Sequence, residues 1–323
     1  MKIAILDDYQ DVVRHLPCFS LLAEHEVKVF HHSAVGIGQL AIRLAPFDAL
    51  VLIRERTALP RALLNKLRKL KIIAQTGKFG AHVDIVAAKE RGIALLEGSG
   101  DPTAPAELTW ALILAASRKL VGYAANLQSG TWQTASMQSQ HNGLGRVLRG
   151  RCLGIWGFGK IGSRVAAFGK AFGMQVVVWG SAESRARAEQ EGYQTNTTKD
   201  AFFQQADVLS LHLRLHDATR GIVTLDDLLK MKADALLVNT SRAELMAPNA
   251  LVWALDQGRP GFAAIDVFEQ EPVPPQHPLL HRPNVLATPH LGYVEQDSYE
   301  LYFRTVFQNL LVYLAAQSAN HQH

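Results

Sequence analysis

The sequence predicts an α/β protein of two doubly wound parallel-sheet domains, on three observations. Short β-type runs alternate with helical patterns along nearly the whole chain. A loop rich in Gly, Pro and Asp divides these runs into two series. One run leads directly into a closely spaced glycine triplet. Strands separated by helix-length segments imply βαβ crossovers, and such crossovers build parallel sheets.

The first series is KIAIL (2–6), VKVF (27–30), ALVLI (49–53), KIIAQ (71–75) and IALL (93–96). The dividing loop, GSGDPTAP (98–105), is placed as a hinge, and a helix from about Ala106 through Arg118 follows it. The second series is CLGIW (152–156), MQVVVW (174–179), DVLSLHL (207–213), ALLVN (235–239), FAAID (262–266) and NVLAT (284–288). A last helix is expected from about Gln296 to Ala316, crossing back to the first domain, with a frayed tail QSANHQH. The stretch 128–146, rich in Gln, Ser and Gly around Trp132, reads either as an interface arm or as a surface loop.

A chain of 323 residues, 48% hydrophobic and 19% charged, is globular in composition and suits two domains of about 100–200 residues each. The formal charge of +4 is dispersed along the chain, so no nucleic acid partner is expected. The two cysteines, Cys18 and Cys152, lie far apart without metal-ligand spacing. No disulfide framework and no metal site are therefore expected, and a cytoplasmic setting fits. The start MKIAILDDYQ lacks a signal-peptide pattern, and no apolar run approaches the ~18 residues of a spanning helix, so no membrane association is expected.

Gly157, Gly159 and Gly162 form GFGKIG between the apolar run CLGIW and a helical pattern carrying Val165, Phe168 and Phe172. In this setting the first glycine permits a tight turn, the second lets backbone approach a pyrophosphate, and the third lets helix and strand pack closely. The second domain is therefore read as a Rossmann dinucleotide-binding domain, with Phe158, Lys160 and Ile161 inside the same turn. About 20 residues on, NAD-binding members of this fold carry an acid for the adenosine ribose. That position is Gly180, in VVVWGSAESRAR. The missing carboxylate removes an acceptor for NAD and also a charge that repels the NADP phosphate, so NAD and NADP both stay open. Ser181 can donate to either a hydroxyl or a phosphate, Arg185 and Arg187 lie where a cation can meet the phosphate, and Glu183 can recover the ribose contact.

Three downstream motifs, NTSRAEL (239–245), AAIDVFEQEP (263–272) and TPHLG (288–292), follow successive strands. Together with LGIWGFGKIG (153–162), DVLSLHL (207–213) and LLKMK (228–232), the chain resembles the D-isomer-specific 2-hydroxyacid dehydrogenases, which include phosphoglycerate dehydrogenase and hydroxypyruvate reductase. The resemblance implies an oxidoreductase that moves a hydride between NAD(P)H and a small 2-keto acid, of the glyoxylate, hydroxypyruvate or phosphoglycerate type. It implies a cofactor domain of 102–286 inserted into a flavodoxin-like substrate domain of 1–101 and 287–323, with the active site in the cleft between them, and a homodimer.

The resemblance also assigns roles. Arg242 holds the substrate carboxylate and polarises the ketone, as a planar two-pronged donor can. His290 is the proton donor, and Glu271 orients its imidazole and favours the charged form. His212, Thr240 and Asp266 fall at the cofactor. In the first domain, QTGKFGAHVD (75–84) matches a turn whose N–H groups meet the substrate carboxylate, with Gly77, Lys78 and Phe79 where the family has two glycines around an apolar residue. Arg54 falls where some relatives place a cation for distal anionic groups, and neighbouring Arg56 reads as surface charge. Two further departures are Ala243 for the usual Gly after the arginine, and Arg214 where a Pro often follows His212.

The alternative from another class is a non-catalytic dinucleotide-sensing protein of corepressor type, since one fold serves many functions. Formate dehydrogenase is disfavoured because Glu271 is acidic where that branch carries Gln.

Without an acid at Gly180, the protein is expected to use both cofactors, with NADPH disfavoured by less than about a hundredfold in kcat/KM. A single charge-assisted contact is worth about 1.5–3 kcal/mol, roughly one to two powers of ten. Specificity constants with NADH and NADPH on one keto acid decide it; a preference for NADH of about a thousandfold or more would mean that Glu183 replaces the missing acid.

Overall fold

The structure is a computed structural model that describes residues 1–34 and 36–320. The chain divides into two units, one of Met1–Asp101 together with Val294–His323, the other of Pro102–Tyr293.

The first unit holds five parallel strands: β1 (Lys2–Leu6), β2 (Glu26–Val29), β3 (Ala49–Leu52), β4 (Ile72–Gln75) and β5 (Ala94–Glu97), in the order β2-β1-β3-β4-β5. β3 and β4 are buried along their whole length, which is why they read as unbroken apolar runs instead of alternating ones. The connection from β1 to β2 departs from the helix expected in a βαβ unit. It consists of two 3-10 turns, Val13–His15 and Pro17–Leu22. Pro17 has a fixed φ and no N–H to continue a helix through that point.

The helix Gln296–Asn320 belongs to this unit and buries Phe303, Phe307 and Leu310, one face at helical spacing. Its Phe307 meets Phe19 edge-on at 6.5 Å. The helix runs past the expected end at Ala316, so residues 317–320 of the tail are helical; residues 321–323 lie outside the described residues.

The second unit holds seven parallel strands: β6 (Cys152–Trp156), β7 (Gln175–Trp179), β8 (Gln194–Thr195), β9 (Val208–Leu211), β10 (Leu236–Asn239), β11 (Phe262–Ile265) and β12 (Val285–Ala287). Their order is β12-β11-β10-β9-β6-β7-β8. β8 was not expected, because a two-residue Gln-Thr strand carries no apolar run. The winding reverses between β6 and β9, the place where doubly wound sheets take their ligands.

Side chains alternate across β6. Leu153 and Ile155 join Trp110, Ile113 and Val165 on one face, while Trp156 joins Phe202, Phe203 and Leu237 on the other. Trp156 and Phe203 meet edge-on at 5.7 Å, as do Phe202 and Phe203 at 5.8 Å. Gly154 fits beside them because a Cβ there would come within 3.0 Å of the Phe202 ring.

The helix Thr103–Ser117 starts earlier than expected. Pro105 sits in its first turn, where a missing N–H costs nothing. A helix Leu120–Gln128 ends at the start of the 128–146 stretch, which is then irregular apart from a 3-10 turn at Ser139–His141 and exposes Trp132, Met137 and Leu144. The second crossing between units falls after Tyr293 instead of at 286/287. Residues 288–292 are held to the second unit by the hydrogen bonds described below.

The aromatic cluster sets an expectation for stability. Phe203→Ala removes a fully buried ring from between Trp156 and Phe202, and should cost about 3–5 kcal/mol in urea unfolding. A loss below about 1 kcal/mol would contradict this packing.

Candidate active site

The glycine-rich turn leaves β6 at the reversal of the sheet. Gly157 has φ +98°, a region that favours glycine, and a Cβ there would press to 2.6 Å from the His212 carbonyl oxygen. Its N–H donates to the Trp179 carbonyl at 2.8 Å, tying the turn to β7. A Cβ at Gly162 would collide with the Gly157 carbonyl oxygen, so the helix Lys160–Ala171 approaches the turn as only glycine allows. Gly159 stands at the N-cap of that helix, exposed, with open space around it and no side chain capping the first turn. Phe158 is buried, while Lys160 and Ile161 open the helix. The unpaired N–H groups of such a helix start suit a pyrophosphate, so the residues present fit a dinucleotide.

Gly180 follows β7. Ser181 caps the helix Ala182–Gln190, its Oγ accepting from Ser184 N at 3.2 Å, which leaves the hydroxyl hydrogen to donate outward. Arg185 stacks over Trp179 at 4.9 Å and donates to the Asn196 carbonyl at 3.3 Å. Arg187 donates to the Phe158 carbonyl, which brings a cation to the glycine-rich turn itself. Glu183 is exposed in the first helical turn.

His212 backs the turn. Its ring pairs with the Ser210 hydroxyl at 2.9 Å, and burial pushes its pKa down to about 4, so it stays neutral near pH 7. Arg214 is exposed, and its carbonyl accepts from Thr219.

β10 ends on Asn239 and β11 is followed at once by Asp266; both polar residues are fully buried, and each builds the loop that follows. The Asn239 amide donates to the Arg242 carbonyl at 2.8 Å, and its oxygen accepts from Ser241 N at 3.0 Å. Ser241 Oγ donates to Leu211 O at 2.7 Å, linking the loop to β9. Within this frame the Arg242 guanidinium donates to the Ser241 carbonyl at 2.7 Å. Thr240 meets Thr109 hydroxyl to hydroxyl at 2.7 Å. Since the Thr109 hydrogen goes to Pro105 O at 2.7 Å, Thr240 is the donor in that pair.

The Asp266 carboxylate accepts from Thr288 Oγ1 and Leu291 N, both at 2.7 Å, and from Gly292 N at 3.0 Å. Burial raises its pKa, against the pull of these three donors and of His290. Both oxygens are thus spent on the loop that carries His290. That residue has φ +53°, a left-handed conformation uncommon for a side-chain-bearing residue, held in place by contacts on either side of it.

His290 Nδ1 lies 2.6 Å from Glu271 Oε2, while Glu271 Oε1 accepts from Phe268 N at 3.0 Å. A carboxylate only accepts, so Nδ1 carries the hydrogen and Nε2 is the atom left for chemistry. Burial alone would push the Glu271 carboxyl up. The hydrogen bond and charge of His290, the Phe268 N–H and the Arg242 charge together hold it below the usual carboxylate range. Tyr293 meets the imidazole edge-on at 5.5 Å.

Arg54, Gly77, Lys78 and Phe79 stand together in the first unit. A Cβ at Gly77 would collide with Arg54 Nη1, and Arg54 also lies 5.7 Å from the Tyr302 ring centroid. Lys78 Nζ and Phe79 N both donate to Glu97, at 2.7 and 2.9 Å. Arg56 is half-buried and not simple surface charge: it donates to the Asp7 carbonyl and to Tyr299 Oη.

Thr109, Asn239 and Glu97 were missed at the sequence level. A polar residue ending an otherwise apolar strand, as in LLVN, was the available signal for Asn239. Thr109, inside an apolar helix, gave none.

A doubly wound dinucleotide-binding domain carrying a carboxylate-held imidazole beside a framed arginine defines a nicotinamide-dependent oxidoreductase. Residues 110–292 match the family model described as D-isomer specific 2-hydroxyacid dehydrogenase, NAD binding domain. A glyoxylate reductase of Aeropyrum pernix is 39% identical over 238 residues, 73% of this chain and 71% of the relative. Two crystal structures are similar throughout. One, of a putative D-3-phosphoglycerate dehydrogenase from Ralstonia solanacearum, has a TM-score of 0.96 at 56% identity and covers 98% of this chain and 95% of that one. The other, of a phosphoglycerate oxidoreductase from Vibrio cholerae O395, has a TM-score of 0.94 at 55% identity and covers 98% and 99%. The chain belongs to the D-isomer-specific 2-hydroxyacid dehydrogenases, enzymes that interconvert 2-hydroxy and 2-keto acids with a nicotinamide cofactor.

The Glu271–His290 pair makes a pH-dependent expectation. His290 and its other donors hold the Glu271 carboxyl below the usual carboxylate range, so the pair is lost only as pH falls through that lowered value. An acid limb of keto-acid reduction from this loss should be present in the parent and absent in Glu271→Gln. A pH–rate profile that does not move would show that the carboxylate only positions the ring.

Proposed function

We propose that this enzyme reduces a small 2-keto acid with Arg242 as the anion and carbonyl binder, His290 as the proton donor and Glu271 as its partner. The observation that carries the reading is the 2.6 Å bond from His290 Nδ1 to Glu271 Oε2, which leaves Nε2 as the proton-handling atom. The turn Gly157–Gly162 and its helix start would hold the dinucleotide, whose chemistry when bound would be hydride transfer. Thr240, His212 and Asp266 shape its neighbourhood, while Ser181 and Arg185 flank the ribose end. Arg242 offers the substrate a charged fork that stabilises the developing alkoxide. His290 Nε2 then gives that oxygen its proton, and in oxidation takes it back.

The substrate class follows the names of the relatives: a glyoxylate reductase and phosphoglycerate oxidoreductases act on short acids that share the 2-oxo or 2-hydroxy acid head. In the first unit, the donors at Gly77, Lys78 and Phe79, with the Arg54 cation, are read as the seat of the substrate carboxylate. A homodimer is supported by the apolar side chains left exposed on the second unit, Leu120, Val121, Leu127, Trp132, Met137 and Leu144. Both cysteines are free thiols, which suits a reducing cytoplasm.

A panel of keto acids with NADH and NADPH tests the substrate class. His290→Asn should retain cofactor binding and lower kcat by about 10²–10⁴-fold. In the parent enzyme, reduction should fall and oxidation rise as increasing pH strips the His290 proton. Parental turnover in the variant, or parallel pH profiles in the two directions, would remove His290 from this role.

A further inference from the structure

The turn after β4 is crowded with donors aimed at a carboxylate, and a carboxylate of this chain already meets them. β4 and β5 run side by side with Gln75 opposite Glu97, so the Glu97 side chain leaves its strand level with the start of the turn. Gly98 N donates back to the carbonyls of Gln75 and Gly77, at 2.8 and 2.9 Å, locking the two strand ends together. From there Glu97 Oε2 accepts from the Lys78 ammonium at 2.7 Å, and Oε1 accepts from Phe79 N at 2.9 Å. Each oxygen takes one donor, one a side-chain cation and the other a backbone N–H, the same pattern in which a 2-keto acid carboxylate would be received. The Arg54 guanidinium packs against Gly77 at the start of the same turn.

We propose that Glu97 is an internal stand-in for the substrate carboxylate, closing the anion seat of the Gly77–Gly80 turn until a 2-keto acid displaces it and thereby setting substrate affinity. This rests on the reading, made above, that the turn receives the substrate carboxylate. Two carboxylates cannot share one ammonium and one N–H without repelling each other, so occupation is exclusive. The exchange is feasible because the resident pair is exposed: the Lys78 side chain is 77% accessible, and ion pairs in water are weak. Hydrogen bonds from Lys78 and Phe79 keep the Glu97 carboxyl below its usual range against the opposing effect of burial, so the occupant is ionised at neutral pH. Its flat two-oxygen group matches the substrate head, which makes it a selector for carboxylates over neutral carbonyl compounds.

The test uses the full chain with glyoxylate and hydroxypyruvate as substrates and oxalate as a non-reacting dicarboxylate probe. Glu97→Gln keeps an oxygen for Phe79 N and removes the competing charge. KM for both keto acids and the inhibition constant of oxalate should fall together by about two- to fivefold, the scale of an exposed ion pair, with kcat changing less than KM. Glu97→Ala should move the constants the same way, which guards against a local effect of the new amide. Lys78→Met should raise KM, because the seat loses its cation. If Lys78→Met raises KM while both Glu97 variants leave it unchanged or raise it, Glu97 is a brace of the turn and the inference is overturned. If none of the three variants changes KM or oxalate inhibition, the turn does not receive the carboxylate, and the underlying reading falls together with the inference.

Discussion

One buried carboxylate organises the catalytic edge of the second unit. Asp266 is fully enclosed, and its two oxygens take three donors from residues 288–292. Those donors lie on both sides of His290, whose left-handed backbone would relax without them. Leaving such donors unpaired in the interior costs about 1–3 kcal/mol each, so the loop has a strong reason to keep this path. One strand away, Asn239 does the same for Arg242 through its amide. β10 and β11 are paired in register, with Asn239 opposite Ile265, so the two loops spring from adjacent points of a rigid sheet. His290 and Arg242 are therefore each positioned through the backbone of their loop.

Much of this was legible because strands buried on both faces write unmistakable apolar runs, and because the glycines of GFGKIG sit where a Cβ would collide with backbone. The expected strands stand in place: β1 and β6 match their apolar runs, and the others are shifted by one residue or shortened by one to three where the ends leave the ladder. Gln194–Thr195 escaped notice because its place in the sheet comes from pairing with β7, not from apolar content. The Pro17 segment kept a helix-like pattern but lost the helix to the proline.

Roles inside the loops were less legible than their positions. Asp266 was expected at the cofactor; that its two oxygens also brace the His290 loop is an engagement only the folded geometry reveals. Glu97 gave no signal at all: nothing in IALLE relates it to Lys78 until β4 and β5 lie side by side. Arg185 and Arg187 looked equivalent as candidate phosphate cations. Stacking on Trp179 holds the first beside β7, while the second reaches the turn itself, so the cationic character of this edge is unevenly placed.

The two units differ in how the chain supplies them. The second is a single continuous stretch, Pro102–Tyr293, whereas the first is begun at Met1 and finished only by the segment from Val294 onward. During synthesis the apolar surface destined for Phe303, Phe307 and Leu310 therefore waits, uncovered, while the whole second unit emerges and has time to fold. The strands of the first sheet are thus completed only after the unit that follows them. That order leaves the nascent first sheet, with β2 at one border and β5 at the other, exposed to chaperones and to self-association while the second unit is made.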